Sequence, residues 1–431
     1  MTLRSPSLRN LKAPSPRLGL VLASLLLATA CATAPTRPPV SIGSGQPRVD
    51  PVTGERLPEG TAVTTDAGLG DFVRGDGGLT PSFMEGRDVK RAAVLLPFSH
   101  PNAQVRAEAE AMLAGIELAM FENGGGDFLI MPKDTAGRSS TAEARADEAL
   151  KEGADIILGP LFATEVTPVK DAAGRKQIPV VAFSNDRTVA GGGAYLASVM
   201  PEEEVVRIMG YAASRGTRTF AFLGPDTAYG KQVEAAMRAE AANNGWTVLG
   251  SGFYDPSKSA STEVARIAGL IKAERSQVGL LIPERGTKLL AVAPLLVVNG
   301  VDPGRTRFLG TSYWDDSSIW REPALTGAQF ATVDPDNLQT FRDTYKRIYG
   351  RAPTDLAAAA YDAAALAITL AAEENIKHGG VTDPEGFMGV NGLFRFRLDG
   401  TSQRGLAVKQ IGGSGASVIE DGVTRFPPGG S

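Results

Sequence analysis

The sequence has very few of the side chains on which most enzymes and metal sites depend. It contains one Cys and two His among 431 residues. A single thiol excludes a disulfide framework and a cysteine-based zinc cluster, and two imidazoles leave little for histidine-dependent catalysis. The GxGxxG, GxSxG and HExxH motifs are also missing. The composition therefore predicts a non-enzymatic protein that binds without a cofactor or a metal, through hydrogen bonds, carboxylates and aromatic rings.

Excess positive charge is missing as well. The formal net charge is −4, and no run of Lys and Arg offsets it. Nucleic acids bind to basic surfaces, so we expect no nucleic-acid partner. The chain does have apolar content, because 43% of its residues are hydrophobic. A chain of this length with that content can bury the cores of two domains.

Residues 1–31 have the organisation of an export signal. The first 17 residues carry four basic side chains, and an apolar run of about ten residues at 18–27 follows. Such a run is too short to span a bilayer. The segment resembles a bacterial lipoprotein signal, which implies that Cys31 is lipidated, and Ala32 after it implies the outer membrane. The alternative is an ordinary secretory signal in which Cys31 is incidental.

Residues 32–88 are rich in Pro, Gly, Thr and Ser and show no sustained periodicity. This composition predicts a disordered linker, which as a flexible coil would span about 40–45 Å. Residues 421–431 are expected to form a flexible tail. The folded part is therefore expected to stand away from the membrane in the periplasm.

A short repeat of strand, helix and strand organises the folded part. The apolar run 156–158 ends at Gly159-Pro160, residues 165–176 suit a crossover helix, and a second apolar run at 180–183 is followed by Ser184-Asn185-Asp186. Buried parallel strands have such continuous apolar runs, and open α/β sheets bind ligands at the carboxyl ends of their strands. These strand ends are therefore a candidate ligand site.

The same alternation recurs after Pro201, with strands predicted at 219–223, 278–282 and 307–311. Two helices are predicted within 335–378. A hairpin of 392–398 and 405–411 is predicted around Asp399-Gly400, since both arms alternate between apolar and polar residues. Alternation of strands and helices predicts parallel sheets covered by helices on both faces.

Several segments together resemble the Leu/Ile/Val-binding family of type I periplasmic binding proteins. These are Ala93–Pro97, Gly115–Ala119, Gly153–Leu161, Ile178–Val181, Asp226–Gly230 and the closing hairpin. The resemblance covers residues 89–420 and implies an α/β fold of two doubly wound parallel-sheet lobes joined by three crossings, near 201, 330 and 385. It implies one lobe from 89–201 plus 330–385, and a second from 202–329 plus 386–420.

The resemblance also implies where a small ligand binds between the lobes. The candidate ligand-binding positions are Ala163, Thr164, Ser184, Asn185, Asp186, Tyr229, Tyr313 and Trp314. Ser184, Asn185 and Asp186 are also residues that commonly cap helices, and Tyr229 and Trp314 are also suited to packing between lobes. The family has an acid for the ligand's amine after the strand that ends at Leu309, where this chain has Gly-Thr-Ser-Tyr-Trp. An acidic Asp186 would repel a ligand carboxylate.

Two functions are compatible with this resemblance. One is a lipid-anchored binding protein that takes an amino-acid-like ligand for transport, with an ABC permease as its partner, or for sensing. The other is an outer-membrane lipoprotein that activates a penicillin-binding peptidoglycan synthase, because the signal, the long linker and the altered anchor positions also resemble those regulators. A tether on the outer membrane suits the second function better than delivery to an inner-membrane permease.

Overall fold

A computed structural model describes residues 72–75, 78–81, 84, 86–124, 126–333 and 335–426. The predicted signal at 1–31, including Cys31, lies outside these residues, as does most of the predicted linker. Within the linker, β1 (Phe72–Gly75) and β2 (Gly78–Pro81) form an antiparallel pair. The Arg91 Nη2 donates a hydrogen bond to Thr80 Oγ1 at 2.6 Å, which ties this pair to the folded part. The prediction of a disordered linker therefore fails for these two strands.

The first lobe is a five-stranded parallel sheet with helices on both faces. Its first elements are β3 (Lys90–Leu96), α1 (Ala103–Asn123), β4 (Phe128–Asp134), α2 (Ser139–Lys151), β5 (Ile156–Leu158), α3 (Ala163–Gly174), β6 (Val180–Ala182) and β7 (Ala194–Leu196). The strand order is β4-β3-β5-β6-β7, and every pair is parallel. The apolar runs that predicted β5 and β6 are completely buried. Both strands end at the same edge of the sheet.

The second lobe is a seven-stranded sheet. The chain enters it through α4 (Pro201–Ser214), β8 (Thr219–Pro225), α5 (Ala228–Asn244), β9 (Thr247–Tyr254), α6 (Ser261–Ala273), β10 (Val278–Leu281), α7 (Gly286–Val298), β11 (Thr306–Gly310) and β12 (Gln329–Thr332). Helices α4 and α5 cover one face, and α6 and α7 the other. Short 3-10 helices lie at Arg187–Val189, Ser312–Trp314 and Pro323–Leu325.

The chain then returns to the first lobe and crosses back once more. The returning elements are α8 (Pro335–Tyr349), α9 (Asp355–Ala372), α10 (His378–Val381), β13 (Phe387–Gly389), β14 (Gly392–Phe396) and β15 (Ser402–Arg404). The last two strands, β16 (Ala407–Gly412) and β17 (Gly415–Glu420), join the second sheet antiparallel, in the order β17-β16-β12-β11-β10-β8-β9. The crossings therefore fall at 197–200, between β12 and α8, and at 405–406.

The structure changes the predicted boundary at residue 386. Phe387, Phe394 and Phe396 are buried in the core of the first lobe, so β13, β14 and β15 form a small sheet on that lobe. The predicted hairpin turn at Asp399-Gly400 is present, but β14 pairs there with 402–404. The predicted second arm pairs instead with β12, which the sequence analysis assigned to a crossing. Apolar alternation locates a strand, but it does not identify the strand's partner.

The prediction of a flexible tail at 421–431 fails for Phe426. The side chain of Phe426 is buried, and the Arg395 guanidinium lies 4.5 Å from its ring centroid. Phe426 thus packs on the small sheet. The sequence of 421–426 is mostly polar, so the packing of its single aromatic residue was not predicted.

Candidate functional site

The carboxyl ends of strands from both lobes face one cleft. Gln232, in the first turns of α5, reaches across it: its Nε2 lies 3.1 Å from the backbone oxygen of Asn185 in the first lobe. The same amide nitrogen donates to Glu202, at 3.1 and 3.3 Å from its carboxylate oxygens. The two rims of the cleft therefore touch at this position.

On the first lobe, the residues after β6 bond mainly to one another. The backbone N–H of Asp186 donates to the buried Ser184 Oγ at 3.1 Å. The Asp186 carboxylate accepts hydrogen bonds from the N–H and the Oγ1 of Thr188, at 2.9 and 2.7 Å. Asp186 thus caps the 3-10 helix that follows, which is the alternative role expected for it. The side chain of Asn185 is exposed at the rim.

The start of α3 already holds a carboxylate of the chain itself. Ala163 is the first residue of this helix, and Thr164 is exposed, with its carbonyl accepting from Ser139 Oγ at 2.8 Å. Glu165 reaches back, and its Oε2 accepts from the Phe162 N–H at 3.3 Å. Glu165 is fully buried, and burial raises its pKa. A free N–H at a helix start attracts anions, but here Glu165 takes that place.

On the second lobe, Tyr229 and Tyr313 form an aromatic pair. Their ring centroids are 4.7 Å apart, and the Tyr229 hydroxyl donates to Thr311 Oγ1 at 3.0 Å. The Arg285 guanidinium lies 5.0 Å from the Tyr313 ring centroid, which is within cation–π range. Burial holds the pKa of Tyr229 well above its usual value, so the phenol remains a neutral hydrogen-bonding group.

Trp314 has a different place from the one predicted. Its side chain is completely buried in the core of the second lobe, and its Nε1 donates to the Glu284 carbonyl at 3.0 Å. Gly310 makes this position possible, because a Cβ there would lie 2.1 Å from the indole ring. A completely buried side chain favours packing, the alternative role expected for Trp314, over ligand contact in this conformation.

The sequence analysis missed Glu204, on the first turns of α4. Its side chain is 3% exposed, and its Oε1 accepts from the Ser312 N–H at 2.6 Å. Burial raises its pKa to about 7. Glu204 thus brings a carboxyl group to residues 311–314 of the loop after β11, which include no acid. The next residue, Asp315, is paired with Lys409 at 2.9 Å. The sequence did contain an indication of this burial, because Glu204 precedes Ile208 by four residues and therefore lies on the buried face of the helix.

Other acids near this edge have identified partners. Glu284, which follows β10, accepts from the Tyr254 hydroxyl at 2.6 Å. Among the residues that the structure describes, no group of three or more His, Cys, Asp and Glu side chains is placed to hold a metal ion. The cleft edge of the second lobe therefore offers two phenols, a guanidinium, hydroxyls and one buried carboxyl group.

Two doubly wound lobes, three crossings and facing strand ends define the type I periplasmic binding fold. The chain belongs to the periplasmic binding protein family, whose model matches residues 91–391. The resemblance inferred from the sequence is thereby confirmed. A search of curated proteins finds no match to this chain.

Solved structures share the fold at low sequence identity. A putative branched-chain amino acid ABC transporter protein from Rhodospirillum rubrum has 17% identity and a TM-score of 0.68, over 77% of this chain and all of the other. A leucine-binding protein from Thermotoga maritima has 16% identity and a TM-score of 0.55, over 79% and 99% of the two chains. A solute-binding protein from R. palustris, solved with benzoate, has 14% identity and a TM-score of 0.54, over 79% and 98%.

Proposed function

We propose that this protein is a lipid-anchored, non-enzymatic periplasmic binding protein that closes its two lobes over a small amino-acid-like ligand, for transport or sensing. The observation that carries the proposal is the contact of Gln232 with Asn185 across a cleft lined by polar groups from both lobes. Solved proteins of the same fold are described as ABC-transporter proteins bound to leucine and to benzoate. These relatives favour a small solute, delivered to an ABC permease.

Within this proposal, Glu204 serves as the acid that holds the ligand's amine. A buried carboxyl with a pKa raised to about 7 is partly neutral at physiological pH. A ligand ammonium beside it would favour the charged form and lower its pKa. Ser184, Asn185 and Tyr229, which the sequence analysis selected, supply hydroxyl and amide groups from the two sides of the cleft. The Ala163–Thr164 start of α3 is a weaker anchor, because Glu165 occupies it.

A thermal-shift screen of the full chain with amino acids, short peptides and cell-wall fragments tests the binding function. A ligand at one hundred times its Kd stabilises the folded state by about 2.7 kcal/mol, which raises the melting temperature by a few degrees. We expect Tyr229→Phe and Ser184→Ala to reduce the shift. Tyr211→Phe, near the C-terminal end of α4, makes the same change as Tyr229→Phe and should leave the ligand-induced shift unchanged. Failure of every compound to shift the wild type would contradict a solute-binding role.

The lipid anchor is tested separately. Cys31 is the one thiol of the sequence and ends its apolar run. Metabolic labelling with a fatty-acid analogue should mark the wild type and leave Cys31→Ser unlabelled. Fractionation should then place the labelled protein in the outer membrane. Equal labelling of both chains would refute the anchor, and labelled protein in the inner membrane would refute the location.

A second candidate function is activation of a penicillin-binding peptidoglycan synthase. The observation that favours it is that side chains of the protein itself occupy two positions where a ligand carboxylate could bind. Glu165 accepts the N–H at the start of α3, and Asp186 caps the 3-10 helix that follows it. A cleft with its anion sites taken is less suited to a free amino acid. This proposal predicts that the chain captures a synthase from solubilised membranes and raises its rate, with no ligand shift. Capture of an ABC permease instead would exclude it.

A further inference from the structure

Cations are concentrated at one edge of the second lobe, at the opposite end of its strands from the cleft. The parallel strands β8, β10 and β11 all begin at this edge, so the connections that lead into them lie side by side. Six basic side chains lie on these connections or next to them, in a chain with a net charge of −4. We call them the basic edge: Arg215, Arg218, Lys272, Arg275, Arg305 and Arg307.

Hydrogen bonds tie members of the basic edge into one surface. The Arg307 Nε donates to Thr217 Oγ1 at 3.2 Å, and the Arg218 Nη1 donates to the Thr217 carbonyl, also at 3.2 Å. The Arg305 Nη2 donates to the carbonyl of Arg275 at 3.1 Å. Arg307 is half-buried and the other five members are exposed, so most of this positive charge faces solvent.

The two acids on the same connections do not pair with these cations. Glu274 Oε1 accepts from the N–H groups of Arg275 and Ser276, at 2.7 and 2.8 Å. Asp302 Oδ1 accepts from the Gly304 N–H at 2.8 Å. Among the described residues, no carboxylate forms an ion pair with a member of the basic edge. The edge therefore keeps a net positive charge, which attracts an anionic partner.

An exposed apolar helix end borders the basic edge. Helix α7 has one charged side chain, Lys288, among its 13 residues. At its C-terminal end, Val297 and Val298 are 38% and 81% exposed. The Lys272 stem lies just past this end, 3.1 Å from where a Cβ on Gly300 would be. Exposed apolar side chains with cations beside them are typical of surfaces that lie on anionic membranes.

We propose that the second lobe docks on an anionic phospholipid bilayer through the basic edge and the end of α7. The cations contact lipid phosphates, and Val298 enters the boundary between headgroups and acyl chains. A soluble polyanion would use the cations alone, and an apolar protein surface would leave them without counter-charges, whereas a bilayer matches both features. The docking surface and the cleft lie at opposite ends of the strands, so the proposal is independent of the ligand and of the lipid anchor proposed above.

A fluorescent label at the end of α7 tests this docking. In the full chain, Cys31→Ser removes the one thiol, and Val298→Cys then carries an environment-sensitive fluorophore. Phosphatidylcholine vesicles that contain phosphatidylglycerol should shift its emission to the blue, and vesicles of phosphatidylcholine alone should not. Each cation near an anionic surface strengthens binding by about fivefold. Changing Lys272, Arg275 and Arg305 together to Gln should therefore raise the lipid concentration at half-shift by about tenfold or more, as should added salt.

The control variant loses three exposed cations of the first lobe, through Lys346→Gln, Arg347→Gln and Lys377→Gln. It has the same net charge as the first triple variant and should bind like the parent, and melting curves show that both are folded. A label at Ile348→Cys, 55% exposed on the first lobe, should not shift.

The proposal is overturned if the label at position 298 does not shift, if both labels shift alike, or if the two triple variants behave alike. An unshifted label in a protein that binds heparin through the same three cations also overturns it, because the partner is then a soluble polyanion.

Discussion

At the scale of single residues, Glu204 is a carboxyl group whose environment differs greatly from that of a surface carboxyl. Its side chain is buried, and a hydrogen bond from the Ser312 N–H does not offset the loss of water around the charged form. Its pKa is raised to about 7 from an ordinary value of 4.5. This shift has a consequence for stability.

We expect the free energy of unfolding to fall as pH rises from about 4.5 to about 7. Below this range Glu204 is protonated in both states; within it, the unfolded chain releases the proton while the folded protein retains it. Raising the pH therefore favours unfolding, by on the order of 3 kcal/mol once the folded group has also titrated. Urea denaturation at steps of pH measures this contribution.

Glu204→Gln is the matched variant, because an amide keeps the acceptor for the Ser312 N–H without a proton to lose. The difference in stability between variant and wild type should grow in favour of the variant across pH 4.5–7 and stay constant above. Parallel curves for the two proteins would show that Glu204 titrates normally.

At the scale of elements, α1 and α9 of the first lobe pack very closely against each other. A Cβ on Gly115 would lie 2.3 Å from the carbonyl oxygen of Ala357, so the two helices meet at backbone distance. Most of α9 is buried: it is apolar and long enough to cross a membrane, yet 72% of it lies inside the protein. The helix is a core element, and its alanines allow the close approach.

Gly115→Ala should lower the free energy of unfolding by about 1–3 kcal/mol, because an added methyl group must push two packed backbones apart. Gly269→Ala is the control, since it adds the same methyl group to α6 where nothing lies within 4 Å. That change should stabilise the helix by about 0.5–1 kcal/mol. Chemical denaturation of both variants compares them. Equal effects would mean that α1 and α9 do not require the glycine.

Elements were largely predictable from the sequence, while their partners were not. Continuous apolar runs located β5 and β6, because a strand buried on both faces needs them. The arms of the hairpin at Asp399-Gly400 were mispaired, since 402–404 and 407–412 both satisfy the local pattern. Glu204 was missed, and the role of Trp314 was left open, for a similar reason: the segment that buries a side chain is distant in the sequence. The local sequence does not show which segment that is.

At the scale of the whole molecule, the position of the two lobes depends on a few polar contacts. Gln232 bonds to the Asn185 carbonyl across the cleft, and Arg397 pairs with Glu203 at 2.8 Å where the small sheet meets α4. A typical hydrogen bond contributes about 0.5–1.5 kcal/mol net. Such contacts bias an equilibrium between open and closed forms without locking it.

Gln232→Ala should therefore shift the ligand-free protein toward the open form, by several-fold in the equilibrium constant. Distances between spin labels on the two lobes, or the radius of gyration in small-angle scattering, report the shift. The neighbouring change Lys231→Ala removes an ion pair to Asp226 that lies within the second lobe, and it should leave the distances unchanged. An identical response of both variants would rule out Gln232 as a closing contact.

The packing of α1 against α9 also determines the order in which the protein can be completed during synthesis. Gly115 and Ala357 are more than two hundred residues apart, and the segment from α4 to β12 lies between them. A chain that emerges from its N-terminus has made the parallel part of the second lobe before α9 exists. Until then the part of α1 that packs on α9 has no native partner, and exposed apolar surface promotes aggregation. The lobe that is begun first is thus the last to be completed.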